Sequence, residues 1–154
     1  MNARDLKAGI AVREAEAEDL RAVLNLYGQV GLDEGRTLPL DDAEAIFDYM
    51  RAYPNYRLYV AELDGRVVGT FTLIIMRNMI HVGASSGLVE AVGVDVSLRG
   101  HGVGRAMMEH ARALCRAAGC YKMALSSNLT RERAHAFYDA LGFARHGYSF
   151  QVAP

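Results

Sequence analysis

The sequence lacks the features that mark several large classes of protein. It has only two cysteines, Cys115 and Cys120, which lie close enough in sequence to pair. We expect both to be reduced thiols, as is usual inside cells. No CxxC is present, and the five histidines form no HxxxH pair, so we predict no metal site.

Neither sign of charge dominates, because 17 basic and 18 acidic residues leave a formal net charge of -1. Nucleic acids and anionic membranes favour proteins with a basic face, so we expect neither as a partner. No apolar run approaches the ~20 residues that a membrane-spanning helix needs. Residues 1–12 lack the apolar core of a secretion signal. We therefore expect a cytoplasmic protein without a membrane partner.

What the sequence does contain is an alternation of helical and extended patterns, without repeats or low-complexity tracts. Apolar spacing predicts helices over 17–30, 41–52, 103–118 and 130–141, and strands over 10–13, 58–63, 67–76, 88–94, 122–126 and within 143–152. The Asp64-Gly65 dipeptide predicts a tight hairpin, and Asp41 or Asp42 is expected to cap the second helix. Together these elements predict one domain over 1–154, an α/β (α+β) fold whose central mixed sheet has helices on both faces.

The most informative stretch is the segment 92–104, which reads VGVDVSLRGHGVG. An apolar strand ends there, and Gly100, Gly102 and Gly104 open the next helix. Glycine leaves neighbouring backbone amides unshielded, and the first turn of a helix has unpaired N–H groups and a partial positive charge. Three glycines in five residues exceed what a tight strand-to-helix turn needs. The segment therefore predicts a site for a phosphorylated ligand.

Two common nucleotide-binding motifs do not fit this segment. A P-loop requires Lys and then Ser or Thr after the glycines, whereas Arg105 and Ala106 follow Gly104. A dinucleotide GxGxxG fails because its third glycine falls on Arg105 or Met107. Arg99 and Arg105 bracket the loop and add positive charge to it.

The loop resembles the acetyl-CoA motif of the GNAT superfamily of N-acetyltransferases, Arg/Gln-x-x-Gly-x-Gly/Ala, which RGHGVG at 99–104 matches. Asn128 follows the next strand, where that family often has an asparagine. Residues 134–143, AHAFYDALGF, are similar to the family signature A-x-x-F-Y-x-x-x-G-F. The order of elements agrees from about residue 10 to 152, and the strong motifs lie within a core at 88–143.

The resemblance implies a GNAT-like acyl-CoA N-acyltransferase fold with acetyl-CoA as co-substrate. It implies that backbone groups of the strand bind the pantetheine arm and that amides of the loop hold the pyrophosphate. The cofactor-binding residues so implied are Val92, Gly93, Val94, Arg99, Gly100, His101, Gly102, Val103, Gly104, Arg105 and Asn128. Many members of the family are homodimers, and 148–152 is a candidate edge for such pairing.

Two side chains are candidates for the chemistry of acetyl transfer. Tyr138, placed like the catalytic tyrosine of the family, is the candidate proton donor, since a phenol of pKa ~10 is close to a thiol of ~8.5. Its spacing with Phe137 and Leu141 also suits an aromatic packed in a core. Glu90 interrupts an apolar run and is the candidate base, acting through water or with a pKa raised by burial. Alternatively, it faces solvent on an alternating strand.

These features predict an enzyme that moves an acetyl group from acetyl-CoA to a primary amine of a small molecule or peptide by direct attack in a ternary complex. The alternative is a non-catalytic acyl-CoA-binding sensor or regulatory module. The glycine-rich loop suits both functions, but only the enzyme gives Tyr138 and Glu90 a chemical role.

Overall fold

The computed structural model of the chain describes residues 9–154. Its strands are β1 (Ala11–Glu14), β2 (Tyr56–Leu63), β3 (Arg66–Met76), β4 (Ser85–Val94) and β5 (Cys120–Leu125), and its helices are α1 (Leu20–Val30), α2 (Leu40–Ala52), α3 (Val103–Ala117) and α4 (Glu132–Ala140). Short 3-10 turns precede α1 and follow β4. A first compact unit ends at Ala124, and Leu125–Pro154 forms a second. The prediction that 1–154 is one domain stays a prediction.

The five strands form one mixed sheet in the order β1-β2-β3-β4-β5. The first three neighbouring pairs are antiparallel. Asp64 and Gly65 join β2 to β3 with φ of 50° and 73°, and two positive φ angles are what a type I′ hairpin turn requires. The predicted hairpin is therefore confirmed.

One face of the sheet packs against α1 and α2. Leu20, Val23 and Phe47 from these helices form a buried cluster with Leu58 and Val60 of β2. Burying side chains of this size stabilises a fold by about 1.5–3 kcal/mol each. This cluster fixes α1 on the sheet, and with it the loop that leaves the end of α1.

The other face packs against α3, and a glycine lets the helix approach closely. A Cβ added to Gly69 of β3 would lie 2.7 Å from Sδ of Met107 and 2.9 Å from Cγ1 of Val103. Both side chains are buried. The prediction of helices on both faces of the sheet is confirmed, and the N-terminal turn of α3 is anchored beside the end of β4.

A network of charged groups ties β1 to the turn before α1. Arg13 contacts both carboxylate oxygens of Asp19, at 2.7 and 3.0 Å, and it also contacts Glu62 of β2. Asp19 accepts a further hydrogen bond from the amide of Glu16 at 2.8 Å. The hydrogen bonds from Arg13 lower the pKa of Asp19, because they stabilise its charged form.

Two predictions are wrong. Residues 143–152 contain no strand, although Tyr148, Phe150 and Val152 alternate as in one; their side chains are 92%, 92% and 88% exposed. A strand needs the hydrogen bonds of a neighbour, and none of these residues is in a ladder. Neither Asp41 nor Asp42 caps α2, because the helix starts earlier: Pro39 is its N-cap, and both aspartates lie in its first turn.

Within residues 9–154, no helix is long and apolar enough to cross a membrane. The strand β2 begins two residues earlier than predicted, and β4 begins three residues earlier. Between β3 and β4, His81 and Val82 have φ of 50° and 58°, so the segment Ile80–Gly83 is a strained turn rather than a regular helix.

Candidate active site

Two left-handed glycines shape the loop between β4 and α3. Gly100 and Gly102 have φ of 81° and 92°, a region that costs residues with a Cβ roughly 1–2 kcal/mol. Gly102 is the N-cap of α3 and has no capping side chain. The amides of Val103, Gly104 and Arg105 therefore form the first turn of a 15-residue helix, where N–H groups have no intrahelical partner.

Asp95 fixes the chain as it leaves β4. Its Oδ1 accepts from the amide of Ser97 at 2.9 Å and from the Ser97 hydroxyl at 2.7 Å. These hydrogen bonds lower the pKa of Asp95. The next amide, of Val96, donates to Oε1 of Gln29 on α1 at 3.3 Å. The start of the loop is thus held by Asp95 and by α1.

Two polar side chains of the loop differ in their partners: His101 bonds to the loop itself, whereas Arg105 has only a weak ion pair. The amide of His101 donates to the carbonyl of Leu98 at 3.2 Å, and its Nδ1 lies 3.1 Å from the carbonyl of Arg99. A carbonyl only accepts, so Nδ1 is the donor. Arg105 lies 3.9 Å from Glu109 one turn later on α3. An exposed pair at this separation is weak, which leaves the Arg105 guanidinium available to an anion.

A bulge interrupts β4 just before the loop. Gly93 pairs with Thr70 and Glu90 pairs with Thr72, so Ala91 and Val92 together face the single residue Phe71. Ala91 has φ of 51°, which is the left-handed conformation that the first residue of one type of bulge adopts. The sequence analysis missed this feature, because alanine gives no signal of left-handed backbone. The bulge interrupts the ladder between β3 and β4 at 91–92.

Because of the bulge, the residues of β4 after it face the opposite side of the sheet from the side that regular alternation would give them. A Cβ at Gly87 would point to α3, 2.4 Å from Sγ of Cys115. A Cβ at Gly93 would point to α1, 3.6 Å from Cγ2 of Val30. In a regular strand, residues six apart share a face, whereas these two glycines do not.

Glu90 lies on the α1 face of the sheet. It pairs with Thr72, which in turn pairs with Leu58 in the core under α1 and α2. Residues directly opposite each other share a face. The Glu90 side chain is exposed, so it can reach solvent water from this face of the sheet.

Polar side chains of α1 and β2 lie on the same face of the sheet as Glu90. Tyr27 of α1 packs against the core cluster, and burial raises its pKa to about 12, with Tyr56 and Asp33 adding to the effect. The Thr70 hydroxyl on the same face donates to the carbonyl of Tyr59 at 3.0 Å. Tyr56 shares a face with Leu58, two residues along β2. The sequence analysis did not single out Tyr56, since a lone tyrosine at the start of a strand carries no signal.

The second unit contains the other two predicted residues. Asn128 Oδ1 accepts from the amide and the hydroxyl of Thr130 at 3.0 and 2.9 Å, and its carbonyl accepts from Nε2 of His135 at 2.9 Å. Asn128 therefore shapes the turn that leads into α4. Tyr138 on α4 is half-buried, with its ring 5.5 Å from that of Phe143 in an edge-on contact. Burial raises the pKa of Tyr138, so its phenol is protonated at neutral pH.

Residues 9–154 hold no group of three or more His, Cys, Asp or Glu side chains that could bind a metal ion. A mixed sheet whose bulged strand leads through a glycine loop to an open helix N-terminus suits a ligand with phosphate groups. Residues 20–143 match the family model described as the acetyltransferase (GNAT) family. The chain belongs to this family and is an N-acetyltransferase.

Similar proteins agree with this assignment. The chain is 33% identical over 138 residues to glucosamine 6-phosphate N-acetyltransferase of Trypanosoma brucei brucei, which covers 89% of this chain and 90% of that protein. It is 29% identical to the 5-NmdU N-acetyltransferase of Pseudomonas phage PaMx11, over 91% of each chain. A solved structure of a putative acetyltransferase from Agrobacterium tumefaciens str. C58 superimposes with a TM-score of 0.87 at 31% identity, covering 94% of this chain and 99% of that one.

Proposed function

We propose that this N-acetyltransferase binds acetyl-CoA through its glycine loop and passes the acetyl group directly to a primary amine of a small polar molecule. The observation that carries the proposal is the pair Gly100 and Gly102, whose left-handed backbone opens the N-terminus of α3. Each charge-assisted hydrogen bond from such amides to phosphate contributes about 1.5–3 kcal/mol. The helix dipole adds roughly 0.3–1 kcal/mol.

The pyrophosphate is assigned to amides within 99–105, chiefly those of Val103, Gly104 and Arg105. Arg99 and Arg105 supply positive charge at the two ends of the loop. The amide of His101 already donates to Leu98, so it contributes less than its neighbours. For Asn128, cofactor contact is proposed in addition to the turn that it stabilises.

The pantetheine arm is assigned to the backbone of Val92, Gly93 and Val94. An amide-containing chain binds to free backbone groups much as an added strand does. The bulge at Ala91 supports this assignment, because it frees backbone groups of β4 from the ladder with β3. The thioester would then follow the strand toward Glu90.

For the acceptor, the α1 face of the sheet offers Asp33, Tyr27, Tyr56 and Glu90. Carboxylates attract an ammonium group, and tyrosine hydroxyls both donate and accept hydrogen bonds. Glucosamine 6-phosphate, which the Trypanosoma relative acetylates according to its name, is the first amine to test. A peptide N-terminus or lysine is the second.

In the proposed reaction, the ammonium of the acceptor first loses a proton to water held by Glu90. The neutral amine then attacks the thioester carbonyl, the C–S bond breaks, and coenzyme A leaves as a thiolate. Tyr138 gives its phenolic proton to that thiolate and recovers one from the amine through solvent. A protonated phenol is required for this role, and Tyr138 is protonated at neutral pH.

The test is release of free coenzyme A thiol from acetyl-CoA across a panel of amines, beginning with glucosamine 6-phosphate and including lysine peptides. We expect turnover on small polar amines, with acetylated product identified by mass. Tight binding of acetyl-CoA without turnover on any amine would instead support a sensor. Absence of acetyl-CoA binding at millimolar concentration would contradict the proposed cofactor site.

A further inference from the structure

The only two cysteines of the chain meet where α3 turns into β5. Cys115 lies in the last turns of the helix, and Cys120 is the first residue of the strand. Between them, Gly119 has φ of 67°, and its amide donates to the carbonyl of Arg116 at 3.1 Å. This is the hydrogen bond of a Schellman turn, a motif in which the residue after the glycine contacts the helix residue five positions earlier. At this turn, the motif places Cys120 beside Cys115.

The two thiols differ in their access to solvent. Cys115 is 4% exposed, whereas Cys120 is half-buried, and both are free thiols. Burial raises the pKa of Cys115 to about 12, and the neighbouring Cys120 adds to the effect. A thiol must ionise before it attacks. Cys120 is the more accessible thiol, so a reagent in solution reacts with it first, and Cys115 can then react with the modified Cys120.

We propose that Cys115 and Cys120 are a redox modification site, which a small disulfide such as oxidised glutathione converts into an intramolecular disulfide. The Cys120 thiolate attacks one sulfur of glutathione disulfide, and one glutathione leaves as its thiolate. Cys115 passes its proton to that thiolate and attacks the Cys120 sulfur, which releases the second glutathione. Two protein thiols are oxidised, and one glutathione disulfide is reduced to two glutathiones.

The position of Cys115 connects this site to β4. Its Sγ occupies the space that a Cβ at Gly87 would need, because the two atoms would be 2.4 Å apart. To bond with Cys120, the sulfur must reach the S–S separation of about 2.0 Å and a dihedral near 90°, which draws it away from Gly87. Oxidation therefore loosens the contact between α3 and the first half of β4.

The experiment exposes the full-length chain to defined mixtures of oxidised and reduced glutathione and follows its intact mass. The expected product is the wild-type chain minus two hydrogens, restored by dithiothreitol, without a lasting glutathione adduct. Cys115→Ser should instead accumulate one glutathione on Cys120, while Cys120→Ser should stay unmodified. Cys115→Ala repeats the first variant without a polar group in the core, and circular dichroism checks the fold of each variant.

Three results would overturn the proposal. One is a wild-type chain that keeps a glutathione adduct, since Cys115 would then be unable to reach Cys120. Another is a chain that stays fully reduced in glutathione disulfide, and the third is a disulfide-linked dimer on a non-reducing gel. For the link to β4, hydrogen exchange of a peptide covering 85–90 should be faster in the oxidised chain; equal exchange would refute that link.

Discussion

Replacing two glycines by alanine separates the effect of backbone conformation from that of steric space. An added Cβ would meet no atom within 4 Å at either Gly100 or Gly28. The positions differ in φ: Gly100 is left-handed at 81°, whereas Gly28 lies inside α1. Gly100→Ala and Gly28→Ala are therefore a matched pair of variants.

The expected changes in stability have opposite signs. At Gly100, a left-handed alanine costs roughly 1–2 kcal/mol, of which the stiffer unfolded chain returns about 0.4–1 kcal/mol. The net result is a loss of about 1 kcal/mol. At Gly28, alanine should stabilise the helix by about 0.5–1 kcal/mol. A difference of about 2 kcal/mol between the variants corresponds to roughly 4–8 °C in melting temperature for a chain of this size.

Urea unfolding measures the two free energies, and calorimetric titration measures the affinity for acetyl-CoA. We expect Gly100→Ala to lower both stability and affinity, because the amides of the loop lose their alignment. Gly28→Ala should raise stability and leave affinity unchanged. If both variants shifted stability in the same direction, the argument from φ would be wrong. If Gly100→Ala kept wild-type affinity, the loop would not be the phosphate site.

Three further changes test the chemistry and the charged network. Tyr138→Phe should lower kcat ten-fold or more with the affinity for acetyl-CoA preserved, and unchanged turnover would remove Tyr138 from the mechanism. Glu90→Gln should remove the acid limb of the pH–rate profile, and a profile that keeps this limb would point to another base. Asp19→Asn should destabilise the fold at neutral pH, as measured by urea unfolding. Arg13 lowers the pKa of Asp19 in the folded state from its ordinary 3.8. The stabilisation that the charged Asp19 provides is therefore fully present above pH 3.8, and it is lost as the pH falls through the pKa of the folded state. A deficit that persists at lower pH would contradict this account.

The regular parts of the fold could be predicted because local patterns and tertiary contacts agree there. The turn at Asp64-Gly65 requires positive φ at both residues, and the sequence supplies residues that tolerate it. The helix predicted over 130–141 ends before Gly142, whose φ of 82° glycine readily adopts. The glycine loop could also be predicted from the sequence, since Gly100 and Gly102 do adopt left-handed conformations.

The parts that could not be predicted depend on long-range partners. Ala91 adopts a left-handed backbone because β3 and β4 pair out of step there, and alanine itself gives no hint of this. Tyr148 and Phe150 have the spacing of a strand, but spacing does not provide a neighbour, and both side chains are exposed. Glu90 was readable as unusual in its apolar run, yet its exposure depends on which side of the sheet it faces.

The extra residue at Ala91 decides which face of β4 each later residue presents. With it, Glu90 and Gly93 lie on the same face although they are three positions apart. A regular strand of the same length would turn Gly93 over and place a valine, Val92 or Val94, against Val30 and Leu26. Deleting Ala91 would leave Glu90 and Gly93 two positions apart, so the residues that follow would keep their faces. A single-codon deletion at Ala91 should therefore disturb β4 less than a deletion elsewhere in the strand.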